Sequence, residues 1–418
     1  MQNNHSYQKY KPSGIAWLGN IPEHWEVRPL KYSLQICNGA DYKHIVADIG
    51  FPVIGSGGRF AYANEFIYDG EVVLLGRKGT IDKPLYFKGK FWAVDTMFYS
   101  YAKKNVSIKF HYYLSTLIPF KLYSTSTALP SMTQTDLKSH IIACPPLPEQ
   151  TAIAQYLDYK TAKIDRFILK KKQLIKLLQE QKAGIINDAV TKGLDKNIST
   201  KPSGIEWLGE VPKHWNTVKL RYLAEITTGN KNTEDKVENG AYDFYVRSQK
   251  IAKINSFSFE GEGILTAGDG VGVGKVFHYA NGKFDYHQRV YLFYNFSKTI
   301  SAKFLFMFLK TYLKIDLMLY NAKSTVDSVR MPILKNFSVL LPPLPEQTAI
   351  VAHIEKETTK LNEAIATIEK EIALVKEYRT ALIAEAVTGK IDVRAIKIPS
   401  YESSEIEETN MEEIEIVE

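Results

Sequence analysis

The chain has 418 residues, 45% of them hydrophobic, and a formal net charge of +7. This length suits two or three ordinary domains, and every long apolar stretch is interrupted by charge, which excludes a membrane span. Residues 1–5 lack the apolar core of a secretory signal, and Cys37 and Cys144 have no metal-ligand spacing. We therefore expect a cytoplasmic protein without a disulfide framework or a zinc site.

Charge is spread unevenly along the chain. Residues 401–418 carry eight glutamates and no Lys or Arg, so a net charge of +7 leaves +15 on residues 1–400. A body this basic favours a polyanionic partner, although simple solubility is an equally good interpretation of charge alone. Residues 393–418 have little to bury and are predicted to form an acidic, disordered tail.

Two blocks of sequence occur twice and alternate along the chain. The block Lys-Pro-Ser-Gly-Ile-x-Trp-Leu-Gly begins at Lys11 and again at Lys201, and the block Pro-Pro-Leu-Pro-Glu-Gln-Thr-Ala-Ile begins at Pro145 and again at Pro342. The first pair is offset by 190 residues and the second by 197, so the difference lies in the dissimilar sequence between them. This pattern indicates a tandem duplication in which one scaffold carries two different inserts.

The two inserts are predicted to be mixed α/β domains, at residues 1–148 and 194–345. Segments 71–75 and 290–293 are rich in β-branched and aromatic residues, which is typical of strands. Helices are expected to begin at 109–114 and 303–308. Glycine-rich turns separate the strands, at residues 55–58, 76–79 and 268–274.

A long helix is predicted after each insert, at residues 149–193 and 346–392. Heptad spacing of apolar residues over five repeats favours a coiled coil. Lys171 interrupts this seam, and a second row is expected to include Phe167 and Leu174. The predicted seam residues are Leu157, Ile164, Leu178, Ile185, Ile354, Leu361, Ile368, Val375 and Leu382.

Charge favours pairing of these two helices with each other. Residues 149–192 carry a net +4 and residues 346–389 a net −3. An antiparallel pair would place the inserts at opposite ends, and a parallel pair would place them side by side. A helix of about 41 residues is roughly 60 Å long, or on the order of one to two turns of duplex DNA.

Signatures of an active site are missing from the sequence. The Pro-Pro pairs follow Cys144 and Leu341, which cannot hydrogen-bond a target amino group as an amino-methyltransferase motif would. Residues 268–275 resemble a phosphate-binding loop, but Asp269 stands where a glycine is required and Val276 replaces the Ser/Thr. A turn, or a loop approaching DNA, is the favoured interpretation.

The duplication, the Pro-Pro-Leu-Pro-Glu-Gln blocks at 145–150 and 342–347, and the openings at 11–19 and 201–209 resemble the specificity subunits of type I restriction–modification systems. The resemblance extends over about residues 10–392. It implies an α+β fold with two mixed α/β target recognition domains, each binding one half of a split double-stranded DNA target. It also implies that the two long helices form an antiparallel coiled coil with an internal pseudo-two-fold repeat.

The same resemblance implies partners. The helices would set the gap between the half-sites and dock two methyltransferase (M) subunits, which carry adenine-N6 methylation with S-adenosylmethionine. Restriction (R) subunits would add ATP- and Mg-dependent translocation and cleavage, leaving no cofactor or metal in this chain. The alternatives are a stand-alone nuclease or methyltransferase with two recognition domains, and a silent specificity subunit used for domain exchange.

Candidates for DNA contact are basic, amide and hydroxyl side chains on glycine-flanked loops or before the second repeated block. Arginine can bind guanine through two hydrogen bonds, glutamine can bind adenine, and threonine can donate to phosphate. For any single residue, a solvated surface position is an equally good interpretation. The candidates are Arg59, Arg77, Lys78, Thr127, Arg247, Gln249, Lys250, Lys275, His287, Arg289 and Thr325.

Overall fold

The computed structural model describes residues 6–123, 130–205, 208–320 and 328–399. The chain divides into two units, residues 1–172 with 369–418 (unit 1) and residues 173–368 (unit 2). Each of the two long helices contributes one part to each unit. No helix in the described ranges is both long and apolar enough to cross a membrane.

Unit 1 is built on a seven-stranded sheet. Its elements are β1 (Tyr10–Pro12), β2 (Asn20–Pro22), β3 (Glu26–Pro29), β4 (Leu34–Asn38), β5 (Val46–Ala47), β6 (Phe51–Gly55), β7 (Gly58–Ala63), β8 (Tyr68–Gly76), β9 (Leu85–Ala93), β10 (Met97–Ala102), α1 (Ile108–Ser115), α2 (Phe120–Tyr123), α3 (Gln134–Ser139), β11 (Ile141–Cys144) and the first part of α4 (Leu147–Lys192). The sheet order is β4-β10-β8-β9-β6-β7-β5. Only the β6–β9 pairing is parallel among the described strands of this sheet. Two antiparallel pairs, β1–β2 and β3–β11, complete the unit.

Unit 2 repeats this plan with one strand fewer in its described sheet. Its elements are the last part of α4, β12 (Thr200–Pro202), β13 (Glu210–Pro212), β14 (Asn216–Lys219), β15 (Glu225–Thr228), β16 (Tyr242–Tyr245), β17 (Ala252–Ile254), β18 (Phe259–Ala267), β19 (Phe277–Tyr286), β20 (Val290–Tyr294), α5 (Ala302–Tyr320), α6 (Met331–Asn336), β21 (Ser338–Leu341) and the first part of α7 (Leu344–Val387). The sheet order is β15-β20-β18-β19-β16-β17, with β16 parallel to β19. The predicted strands at 71–75 and 290–293 lie within β8 and β20, and the expected helix starts lie within α1 and α5.

The central hairpins of the two sheets bend in the same way. Gly70 lies opposite Gly89 in β8–β9, and Gly261 lies opposite Gly282 in β18–β19. Their φ angles are +148° and +116° in the first pair and +140° and +116° in the second. Residues with a side chain rarely adopt these φ angles, so glycine is favoured at all four positions. After this bend both inner strands are continuously buried, which gives the dissimilar inserts a shared frame.

The second repeated block anchors the start of each long helix. The amide Nε2 of Gln150 donates to the carbonyl of Pro145 at 2.8 Å, and its Oε1 accepts from the backbone N–H of Ser107 at 2.9 Å. Gln347 makes the same two bonds in unit 2, to Pro342 at 2.8 Å and from Ser301 at 2.7 Å. Both amides are buried. The repeated glutamine therefore ties each helix start to the helix that follows its sheet.

The neighbouring glutamate of the block binds residues that flank the first repeated block in unit 1. Trp25 is fully buried and its indole Nε1 donates to Glu149 at 3.1 Å. His24 Nε2 lies 2.8 Å from the same carboxylate, and the hydroxyl of Tyr7 also donates to it. One buried carboxylate thus joins the start of α4 to the amino-terminal segment.

A glycine at the end of the other long helix closes on the same tryptophan. Gly389 follows α7 with φ of +74°, and a Cβ there would lie 2.4 Å from Pro22 Cδ and 3.2 Å from Trp25. In unit 2, Gly193 follows α4 and stands beside Trp215 and Glu346 in the same manner. The positive-φ glycines that follow the two long helices are therefore also points of close packing.

The long helices run antiparallel within each unit. In unit 1, Lys171 Nζ lies 2.7 Å from Glu371 Oε2, and Arg379 Nε lies 3.2 Å from Asp165 Oδ1. Residue numbers therefore increase along α4 as they decrease along the facing part of α7. In unit 2, Lys182 Nζ donates to Asn362 at 2.7 Å, in the same sense. Lys171 consequently meets an acidic partner where the seam is interrupted.

Burial is uneven along the predicted seam. Phe167 and Leu174 are 41% and 40% exposed, so the expectation that they extend a second buried row is wrong; Ile168 is buried instead. Leu178, Ile185, Leu361 and Val375 are partly buried. The fully buried seam residues are Leu157, Ile164, Ile354, Ile368 and Leu382.

Candidate nucleic-acid interface

Three loops of unit 2 meet beyond the ends of strands β16, β18 and β19, at a surface that we call the loop edge. Arg247 lies in the loop after β16, Asp269 between β18 and β19, and Arg289 between β19 and β20. Arg247 Nη1 donates to Asp269 Oδ1 at 2.8 Å, and Arg289 Nη1 donates to Asp269 Oδ2 at 2.6 Å. Two predicted contact residues are thus joined by the carboxylate of Asp269, which stands where a phosphate-binding loop would have a glycine.

The Arg247–Asp269–Arg289 triad presents its cations to solvent. The arginine side chains are 41% and 58% exposed, and that of Asp269 is 21% exposed. Burial alone would raise the pKa of Asp269, but hydrogen bonds from both arginines and their charges lower this pKa below its ordinary value. The triad therefore carries a net positive charge while each guanidinium is held on one side.

His287 occupies a different position from the one predicted. Its side chain is buried, and its Nδ1 accepts the backbone N–H of Arg289 at 3.0 Å. Burial, with a contribution from the charge of Arg247, lowers the pKa of His287. The ring is enclosed in this structure, so a contact between His287 and a base edge stays a prediction. Its contact with Arg289 makes it a support for the β19–β20 turn.

The other unit 2 candidates surround the triad on the same loops. Gln249, Lys250 and Lys275 are exposed. The amide of Gln249 donates to the carbonyl of Lys275 at 3.0 Å, which ties the loop after β16 to the end of the glycine-rich loop. Five of the six described candidates of this unit therefore stand at the surface of the loop edge.

Close packing explains the glycines of residues 268–274. A Cβ at Gly272 would lie 2.8 Å from the carbonyl oxygen of Arg247, and one at Gly274, whose φ is +65°, would lie 3.0 Å from Lys314. Val271, at the tip between these glycines, is 91% exposed. The glycines hold the loop against its neighbours and leave its tip projecting, which supports the interpretation of a surface loop.

In unit 1 the predicted cations lie on or beside two adjacent loops, with Arg59 in β7 and Arg77 and Lys78 after β8. The loops at 55–58 and 76–79 approach each other, since a Cβ at Gly79 would lie 3.9 Å from Ser56 Oγ. Arg59 places its guanidinium 5.2 Å from the ring centre of Tyr62. Arg77 donates to the carbonyl of Asp95 at 3.4 Å. Lys78 is exposed beside it.

The loop edges of the two units share one backbone frame. Arg77 N–H donates to Thr96 at 2.8 Å, as Gly268 N–H donates to Arg289 at 2.8 Å. Lys78 forms a backbone bridge with Ser131, as Asp269 does with Ser328. Position by position, Arg77, Lys78 and Thr96 correspond to Gly268, Asp269 and Arg289. Equivalent main-chain positions therefore present different side chains in the two units.

Two candidates cannot be placed. Thr127 and Thr325 lie outside the described residues, so their proposed phosphate contacts stay predictions. The described candidates are consequently Arg59 in β7 and those of the loops after β8, β16, β18 and β19.

A known family accounts for both copies. The model of the type I restriction modification DNA specificity domain matches residues 22–178 and again residues 212–374. The chain belongs to this family. It carries two type I DNA specificity domains, and the duplication predicted from sequence is the repetition of that domain.

Individual relatives agree with this assignment. The chain is 27% identical over 183 residues to the type I restriction enzyme EcoDI specificity subunit of Escherichia coli, covering 44% of this chain and 40% of that relative's length. It is 26% identical over 348 residues to the MjaVIII specificity subunit of Methanocaldococcus jannaschii, covering 77% of this chain and 76% of the relative. This specificity subunit thus spans less than half of the first relative's length and about three quarters of the second's.

A solved structure shares the fold. A chain described under the assembly and conformational transition of the type I R-M system superimposes with a TM-score of 0.63, at 15% identity, over 88% of this chain and 99% of that one. The mixed α/β units and long helices of this specificity subunit are therefore those of a known fold.

Proposed function

We propose that this specificity subunit gives a type I restriction–modification complex its DNA target, with unit 1 reading one half of a split site and unit 2 the other. The observation that carries the proposal is the shared loop edge, where one backbone frame presents Arg77, Lys78 and Thr96 in one unit and Gly268, Asp269 and Arg289 in the other. Groups of different hydrogen-bonding capacity on one frame suit two different base sequences.

In this proposal the long helices set the gap and receive the partners. Helix α4 has 46 residues and is therefore about 70 Å long at ~1.5 Å per residue. We assign to these helices the docking of two M subunits, and to R subunits an attachment through the assembled complex. The subunit itself is proposed to be non-catalytic, with S-adenosylmethionine, ATP and Mg bound by the partners, in the cytoplasm.

The test is to identify the target in cells. Co-expression of this specificity subunit with its M partner, followed by methylome sequencing, should give an asymmetric methylated motif in two parts. The purified complex should bind a duplex carrying both parts and lose affinity when either part is scrambled. A continuous motif, or a palindrome with identical halves, would refute the two-reader proposal.

The helix ruler can be tested separately. Residues 172–178 of α4 and 365–371 of α7 are one heptad of each helix, at the point where the helices divide between the two units. Deleting both heptads removes about 10 Å of helix and should shorten the preferred gap, by ~3 base pairs at 3.4 Å each. A folded variant that keeps the original gap would show that the helices do not set the spacing.

A further inference from the structure

We propose that Asp269 determines specificity in unit 2 by orienting Arg247 and Arg289 towards guanine and by restraining their binding to phosphates. The inference rests on the proposed function of unit 2 as the reader of one half-site. It adds a residue without base-reading capacity of its own in this arrangement, and it names a base that the half-site should contain.

The triad leaves most of each guanidinium available. Each arginine uses Nη1 for Asp269, at 2.8 Å for Arg247 and 2.6 Å for Arg289. A guanidinium has five N–H donors in a fixed plane, so holding one side fixes the direction of the others. Guanine offers O6 and N7 as a pair of acceptors on its major-groove edge, which fits two parallel N–H donors.

The main chain around the triad is also held. Gly268 N–H donates to the carbonyl of Arg289 at 2.8 Å, and the N–H of Arg289 donates to His287 at 3.0 Å. Gly272 packs against the carbonyl of Arg247. Both arginines are thus restrained at the backbone and at the guanidinium, which lowers the entropy lost when they bind a base.

The fold does not require a carboxylate at this position. In unit 1 the equivalent backbone bridge to Ser131 is made by Lys78, and Thr96 stands where unit 2 has Arg289. Partly exposed ion pairs add little to stability because solvent screens them. We therefore attribute the carboxylate and its two arginines to what unit 2 binds and not to the requirements of its fold.

Charge gives Asp269 a second effect on selectivity. Phosphate contacts supply most of the affinity for unrelated DNA, and each neutralised phosphate adds to the salt dependence of binding. The Asp269 carboxylate offsets one of the two arginine charges at the loop edge. Removing it should loosen both guanidinium groups and add a positive charge, so binding to unrelated DNA should strengthen while binding to the target weakens.

The experiment compares Asp269→Ala with wild type in the full-length subunit assembled with its M partner. Dissociation constants are measured at several salt concentrations for the target duplex, for duplexes with each half scrambled in turn, and for a fully scrambled duplex. The discrimination at one half only should fall by about 5- to 100-fold, the range expected for loss of a guanine contact. Affinity for the fully scrambled duplex should hold or rise, with a steeper salt dependence.

A charge-matched control is available on β18, the strand that precedes Asp269. Glu260 lies at the other end of β18 and pairs only loosely with Lys283, at 3.8 Å. Glu260→Gln also removes one negative charge and should leave discrimination unchanged. Asp269→Asn, which keeps an acceptor for one arginine, should fall between Asp269→Ala and wild type.

Modified DNA identifies the base. Replacing guanines of the affected half with 7-deazaguanine removes N7, so wild type should lose affinity and Asp269→Ala should lose little more. The inference would be overturned if Asp269→Ala lost the same affinity for the target and scrambled duplexes. It would also be overturned if the half-site at which discrimination falls contained no guanine. If wild type itself does not discriminate the halves, the proposed function fails; if wild type and Asp269→Ala discriminate equally, only this inference fails.

Discussion

Removing the carboxylate of Glu149 should destabilise unit 1 strongly. In Glu149→Ala, the indole N–H of Trp25 and the hydroxyl of Tyr7 lose their acceptor while both side chains remain buried. His24 is 42% exposed and can bond to water instead. The repeated glutamate would thus be shown to be an anchor of the fold.

The expected magnitude follows from the two donors left unsatisfied. Each costs about 1–3 kcal/mol when buried without a partner, so the free energy of unfolding should fall by about 2–6 kcal/mol. For a unit of this size, ~1 kcal/mol corresponds to about 2–4 °C in Tm. A loss of roughly 5–20 °C is therefore expected for the transition of unit 1 in differential scanning calorimetry.

The equivalent glutamate of unit 2 is the matched control. Glu346 is 26% exposed and pairs with the exposed His214 at 2.8 Å, and Trp215 Nε1 has no hydrogen-bond partner within the described part of the chain. Glu346→Ala therefore removes one screened contact and should cost about 1 kcal/mol or less. Equal losses in the two variants, or a smaller loss for Glu149→Ala, would refute the reasoning from unsatisfied donors.

Two further predictions concern stability. Gly282→Ala should lower the free energy of unfolding in urea by about 1–3 kcal/mol, because φ at Gly282 is +116°. Gly184→Ala should raise it by about 0.5–1 kcal/mol, because Gly184 lies in α4 and no atom lies within 4 Å of a Cβ there. The opposite order would show that a side chain does not strain the backbone at Gly282. Burial lowers the pKa of His111 to about 4 in the folded state, from about 6.5 in the unfolded state. Between these two pH values the unfolded state binds more protons than the folded state, so the stability contributed by neutral His111 is lost as pH falls from about 6.5 to 4. This amounts to about 2 kcal/mol between pH 7 and pH 5, and His111→Gln should flatten the urea-derived stability profile of unit 1; an unchanged slope would place the pH dependence elsewhere.

Sequence reasoning predicted the features that depend on local pattern. Heptad spacing identified both long helices, and the repeated blocks identified two equivalent domains. The shared strand order of the sheets was missed because strand pairing joins distant residues. The opposed glycines Gly70–Gly89 and Gly261–Gly282 are a signal that aligning the inserts by glycine could have found.

The candidate site was predictable in residue type and not in arrangement. Arg247 and Arg289 were chosen as basic residues on loops, but no local rule indicates that Asp269 lies between them. Burial of His287 depends on how the β19–β20 turn packs, which sequence spacing does not encode. Likewise, apolar periodicity gives the buried face of a helix and not its depth, so it does not predict that Phe167 and Leu174 are exposed.

The division between repeated and unrepeated residues has a structural reason. Repeated residues such as Gln150 and Gln347 hold main-chain groups at the helix starts. The loop edge, in contrast, is closed by main-chain bonds that Lys78 and Asp269 make equally well. Side chains at that edge are therefore free to change without loss of the frame, since backbone hydrogen bonds place no demand on residue type. If the loop edge reads bases as proposed, such a scaffold would acquire a new base preference by substitution at a few loop positions, while its anchors would have to remain as they are.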